Sequence, residues 1–191
     1  MTVIEIIGAA VALLYLRFEY RASILMWPAG VLMALFYVYI FFAGKFYADM
    51  CIHIYYMFAS IYGWIRWEKD RAAAGGMRIM SLPRRRWWPL AAVSAGLFGL
   101  IAAVLYTCTD SPVPFGDAFT TALSIAAMWM LAHRYMEQWL LWIAVNAVST
   151  ALYFMRGLYP TAILFVIYTA VSLFGYMKWR RMWKNPVRDA K

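Results

Sequence analysis

Residues 47–67 read YADMCIHIYYMFASIYGWIRW, and residues 159–179 read YPTAILFVIYTAVSLFGYMKW. Without a gap, Tyr47 falls on Tyr159, Tyr56 on Tyr168, Ser60 on Ser172, Gly63 on Gly175 and Trp67 on Trp179, and Arg66 falls on Lys178. Each stretch is long enough, as a helix, to cross the roughly 30 Å hydrocarbon core of a bilayer. Two such helices that match over their whole length mark an internal repeat. The segments before them match more loosely. Trp27 precedes Tyr37, Trp142 precedes Tyr153, and each segment leads into a short loop with a glycine, Gly44 or Gly157.

Composition explains why lipid is the solvent. Of the 191 residues, 65% are hydrophobic in type and 14% are charged. A soluble domain carries about 45–50% apolar and about 25% charged residues. Apolar runs predict spans over 3–16, 24–42, 47–67, 88–108, 117–132, 136–155 and 160–179. Seven spans of about 20 residues use some 140 residues and leave only short loops. The first segment holds Glu5 and no basic stretch ahead of its apolar run, so a spanning helix is expected there rather than a cleaved leader. The polar stretch 68–86 and the tail from Arg180 are expected to lie outside the membrane, the tail frayed.

The charge pattern orients these spans. Of the 18 Lys and Arg residues, sixteen fall on the face that would hold the C-terminus, and only Lys45 and Arg156 fall on the other. Basic residues mark the cytoplasmic side. The expected topology therefore has the N-terminus outside and the C-terminus in the cytoplasm, in a multi-pass bacterial inner-membrane protein. It also accounts for the net charge of +9 without nucleic acid.

The repeat groups the spans. A shift of four spans preserves direction, so the two repeats run parallel, as in carriers of the SWEET class. The expected fold class is an all-α integral membrane protein with seven transmembrane helices. Two parallel three-helix repeats are joined by a linker helix, 3+1+3. The divisions are 1–67 for the first repeat, 68–112 for a cytoplasmic loop and linker helix, and 113–191 for the second repeat and basic tail. Substrate sites in such proteins lie between repeats near the midplane.

Several chemistries are missing. No GxxxxGK[ST] or HExxH motif occurs, His53 and His133 stand apart, and no catalytic constellation is visible, so no enzyme, cofactor or metal is expected. Cys51 and Cys108 fall near one face, which leaves a disulfide open, but they are read first as small apolar residues in helices. No carboxylate sits mid-span as a proton or sodium relay usually would, which favours uncoupled, facilitated transport.

What remains is aromatic: ten Trp, fourteen Tyr and twelve Phe. Trp87, Trp88, Trp179 and Trp183 fit an interfacial belt. In the third span, Trp64 and Trp67 are three apart and share a helix face, and Tyr56, Ser60 and Trp67 form a stripe. Flat rings with hydroxyls suit a planar cationic ring, by stacking and cation–π attraction of about 2 kcal/mol when desolvated. In the sixth span Asn146 is the polar residue, with Ser149 and Thr150 beside it and Tyr153 seven residues on. Asn146 either bonds a neighbouring helix or reads a ligand.

At these residues the chain resembles the PnuC family of bacterial vitamin transporters. The resemblance rests on FYADM at 46–50, YGWIRW at 62–67, read as the family's WxxW, DAFTTALS at 117–124, and the LY…GLY…TA pattern over 152–162. It implies a homotrimer, a small cationic heteroaromatic vitamin as substrate, and trapping by a cytoplasmic vitamin kinase. It also implies that Trp64, Trp67 and Asn146 line the site, with the two tryptophans of one repeat facing Asn146 of the other. Members similar to the nicotinamide riboside carriers tend to have glutamine where this chain has Met128. The FEY-RAS-WP run over 18–28 looks more like the PnuT subgroup, for which thiamine is the expected substrate. Alternatives are nicotinamide riboside, or a vitamin-binding membrane subunit that needs a separate ATPase.

Overall fold

The structure is a computed structural model that describes residues 11, 14–43, 47–74, 78–109 and 111–185. It is all-helical: α1 (14–20), α2 (Met26–Ala43), α3 (Tyr47–Ala74), α4 (Arg84–Cys108), α5 (Pro114–Ala132), α6 (Gln138–Met155) and α7 (Tyr159–Lys184). Among the described residues, four helices are long and apolar enough to cross a membrane: Arg84–Cys108, Pro114–Ala132, Gln138–Met155 and Thr161–Lys184. Met26–Ile40 is a shorter apolar helix. Most of the expected first span lies outside the described residues.

Several helices run further than the apolar pattern foretells. The third continues through residues 68–74, EKDRAAA, where a loop was expected. These are strong helix formers, and Arg66 and Asp70 sit one turn apart at 4.0 Å. The fourth begins at Arg84, directly after Pro83, rather than at Trp88. The seventh runs to Lys184 instead of fraying at Arg180. Arg181 and Lys184 occupy its last turn, where cations favour the helix dipole, and Pro186 follows in the sequence. The first helix extends to Tyr20, past the expected Leu16. A hydropathy run measures the membrane's thickness; helix propensity decides where the helix stops.

The chain forms two compact units, one reaching Arg78 and the other spanning Ile79–Asn185. The linker helix α4 thus belongs with the second unit, where it packs along α5.

In the first unit α2 packs on α3. Trp27 and Trp67 meet edge to face, with centroids 5.4 Å apart and planes at 86°. Gly63 makes room for this pair, because a Cβ there would lie 2.2 Å from the Trp27 ring. The turn that follows α1 places Ala22 at a left-handed φ of 51°. The amides of Ala22 and Ser23 bond back to Glu19 and Phe18 at 2.9 Å each, a Schellman closure.

The second unit repeats these details 112 residues later. Trp139 and Trp179 meet at 5.9 Å and 86°, over Gly175, whose Cβ would lie 2.7 Å from Trp139. The turn that follows α5 places Arg134 at a left-handed φ of 59°. The amides of Arg134 and Tyr135 bond to Leu131 and Met130 at 2.9 and 3.0 Å. The equivalent of Trp27 is therefore Trp139, not Trp142 as the looser sequence match had it. Packing against the following helix sets the register, and single aromatic identities do not.

The second unit also carries a clasp ahead of α4. Met80 pairs with Tyr135 in an isolated parallel bridge, through Met80 N to Arg134 O and Met136 N to Met80 O, each 2.9 Å. The Glu137 carboxylate accepts the Leu82 amide at 2.9 Å and the Ser81 hydroxyl. Arg86 donates to the Tyr135 hydroxyl at 2.7 Å. Leu82, Met130 and Tyr135 form the core beneath.

Candidate ligand-binding faces

In the first unit the expected aromatic face divides. Trp67 is 0% exposed, held by Trp27, and Ser60 is buried near Gly30. Trp64 is 42% exposed. It lines a shallow open groove with Ile65, Glu68, Lys69 and Ala72. Three-residue spacing allowed the two tryptophans a common face, but the 60° between them is enough to put one inside and one out. Tyr56 is half-buried and meets His53 edge to face at 5.6 Å; His53 in turn lies 5.0 Å from Tyr37. His53 thus joins an aromatic cluster, although the sequence shows it as isolated.

In the second unit α6 presents a polar stripe. Asn146 and Ser149 are buried, and Thr150 and Tyr153 are half-buried. The Asn146 Nδ2 donates to Ser172 Oγ of α7 at 3.2 Å. Thr150 donates its hydroxyl to the Asn146 carbonyl at 2.8 Å, so its proton is spent within the helix. Tyr153 packs on Phe165 at 5.0 Å. Met128 is buried in α5 and offers no donor.

The same helix holds two residues that sequence reasoning passed over. Trp139 and Trp142 form a second W-x-x-W, and Asn146 follows four residues after Trp142. The indole Nε1 of both is buried with no hydrogen-bond partner among the described residues, as is that of Trp27. Burying such a donor unpaired costs about 1–3 kcal/mol; Trp27 and Trp139 bear that cost within the packed tryptophan pairs, and Trp142 bears it beside the polar stripe. The signal was available in sequence as the 139, 142, 146 spacing, which places all three on one side of a helix. Among the described residues no group of three metal-ligating side chains gathers.

Cys51 and Cys108 are both free and exposed. At the far end of α5, Asp117 pairs with Arg156 at 3.1 Å and accepts Ser111 Oγ at 2.8 Å. α6 closes there on Gly157, whose φ of 74° favours glycine.

Comparison with known proteins places this architecture. The family model described as Nicotinamide mononucleotide transporter matches residues 2–181. The nicotinamide riboside transporter PnuC of Escherichia coli strain K12 is 26% identical, covering 97% of this chain and 87% of its own. The riboflavin/roseoflavin transporter RibM of Streptomyces davaonensis is 28% identical, covering 98% and 87%. A solved structure, the crystal structure of the vitamin B3 transporter PnuC, superposes with a TM-score of 0.74 at 25% identity, covering 93% of this chain and 80% of that one. These relatives are named for nicotinamide riboside, riboflavin and vitamin B3. The thiamine subgroup expected from the FEY-RAS-WP run has no support among them, since a short run carries little information about the substrate.

Proposed function

From the premise that this chain belongs to the nicotinamide mononucleotide transporter family, as a multi-pass membrane transporter of vitamins and not an enzyme, we propose that it carries nicotinamide riboside by facilitated diffusion. The observation that carries the reading is the family match over residues 2–181, with relatives that align along nearly the whole chain. The substrate is a planar cationic ring on a sugar, and the chain offers flat rings and polar groups on the same helices. Trp142 and Asn146 of α6 are its main contacts, with Thr150 and Tyr153 further along the same helix and Met128 contributed from α5. On the first unit, α3 presents the exposed ring of Trp64 and the half-buried Tyr56, whereas Trp67 and Ser60 are taken up by packing.

In this reading the helices form two parallel repeats, α1–α3 and α5–α7, with α4 as the linker. The 112-residue recurrence of the tryptophan pair, the glycine beneath it and the left-handed turn supports that grouping. The protein sits in the bacterial inner membrane with its N-terminus outside, as the basic residues favour. It assembles as a homotrimer, and a cytoplasmic vitamin kinase traps the product. Thiamine stays as a second reading on one observation, the apolar Met128 in place of an amide.

Uptake into liposomes containing this chain alone tests the proposal. Saturable entry of nicotinamide riboside, with thiamine and riboflavin failing to compete, is the expected result. Competition by thiamine at lower concentration would reassign the substrate. Accumulation that requires an added ATPase would make the chain a binding subunit. The membrane potential must be clamped, because one positive charge gains about 2.3 kcal/mol per 100 mV.

A further inference from the structure

The Asn146 amide is held by a bond whose direction can be worked out. Ser172 has one hydroxyl proton, and it is donated to the Tyr168 carbonyl at 2.8 Å, one turn back on α7. The Ser172 oxygen can therefore only accept from Asn146. Of the two ends of that carboxamide, only the NH2 can donate. Nδ2 must face Ser172, as its 3.2 Å contact has it. Oδ1 is left pointing elsewhere. It takes no hydrogen bond among the described residues, and it is not among the sealed, unpartnered atoms. Both Asn146 and Ser172 are more than nine-tenths buried, so the Nδ2–Ser172 bond between them is largely shielded from bulk water. The first unit cannot build this pair, because the position equivalent to Asn146 is Ala34 although Ser60 matches Ser172.

We propose that Ser172 is a positioning residue that locks the Asn146 amide with its carbonyl oxygen presented to the substrate, so that the site selects a substrate bearing an N–H donor. The proposal rests on the binding role of Asn146 given above. For a pyridinium riboside the donor is the primary carboxamide. A carboxylate at the same place presents lone pairs to Oδ1 and is rejected. A site built to bond a buried polar group discriminates strongly against an analogue that lacks it, because its own group is left unpaired. Without Ser172 the amide can turn over and offer either end.

The test compares binding of nicotinamide riboside and nicotinic acid riboside to the purified full chain, wild type against Ser172→Ala and Ser172→Thr. Calorimetry gives both affinities, and a melting curve in detergent reports the fold. Alanine is smaller and the better helix former, so Ser172→Ala should fold. Its preference for the amide over the acid is expected to fall about tenfold relative to wild type. Ser172→Thr keeps the hydroxyl and should retain the wild-type ratio. An unchanged ratio in Ser172→Ala, or equal loss for both ligands, overturns the proposal. Should wild type bind thiamine and neither riboside, the substrate assignment fails, and the same variants are read with thiamine and oxythiamine. That pair exchanges an amino donor for an oxo acceptor, and the same criteria apply.

Discussion

Trp27 stands edge-on to Trp67 with its ring 5.4 Å away, and Gly63 is the residue whose missing side chain lets it do so. An edge-to-face pair is worth about 0.5–1.5 kcal/mol beyond the area it buries. The pair therefore fixes how α2 crosses α3, and Trp139 with Trp179 does the same for α6 and α7.

Gly63→Ala would place a methyl 2.2 Å from a rigid indole, while Gly175→Ala would place one at 2.7 Å. Overpacking of this kind costs about 1–3 kcal/mol. Melting temperature in detergent should fall for both, more for Gly63. Gly96→Ala, with nothing within 4 Å of its Cβ, should hold or rise, since alanine gains about 0.5–1 kcal/mol in a helix interior. The reverse order would show that the indoles have room to yield.

Trp142→Phe removes the orphan indole N–H and keeps an aromatic ring. Stability should be unchanged or slightly improved, because an unpaired buried donor is lost. Affinity for the substrate should drop several-fold, in line with about 0.5–1.5 kcal/mol for one hydrogen bond. Tryptophan fluorescence titration measures it, and full retention of affinity would remove Trp142 from the site.

Glu137→Ala would leave the buried Leu82 amide without its acceptor and free Ser81. The expected cost is about 1–3 kcal/mol, seen as a lower melting temperature. The Met80–Tyr135 bridge should loosen with it, read as faster hydrogen exchange at the Met80 and Met136 amides. Protection that survives the substitution would mean the backbone bridge holds without the carboxylate.

The Asp117–Arg156 pair has side chains 35% and 28% exposed. Solvent screens such a pair, so Arg156→Ala should cost less than about 1 kcal/mol, shrinking further in high salt. A loss several times larger would require a role beyond the ion pair.

Cys108 closes α4 and is exposed, at the end that the charge pattern puts outside. In right-side-out vesicles a membrane-impermeant maleimide should label it, and in inverted vesicles it should not. Labelling only from the inverted side would reverse the topology.

Much of this molecule is legible in its residues. The matched segments ending at Trp67 and Trp179, the charge partition and the apolar runs pointed to a helical membrane transporter of this family, since hydropathy and charge act through the sequence order alone. Polarity alone marks 68–74 as a loop, yet EKDRAAA favours helix and continues α3 to Ala74. The site was harder. Asn146 was visible as a polar residue in an apolar span, but its two ends are equivalent in sequence, and only the bond from Ser172 to the Tyr168 carbonyl tells them apart. Trp67 and Trp142 look alike on paper. The tertiary structure makes one a packing wedge against Trp27 and leaves the other with an unanswered donor, because burial and hydrogen-bond partners come from neighbours that sequence distance does not reveal.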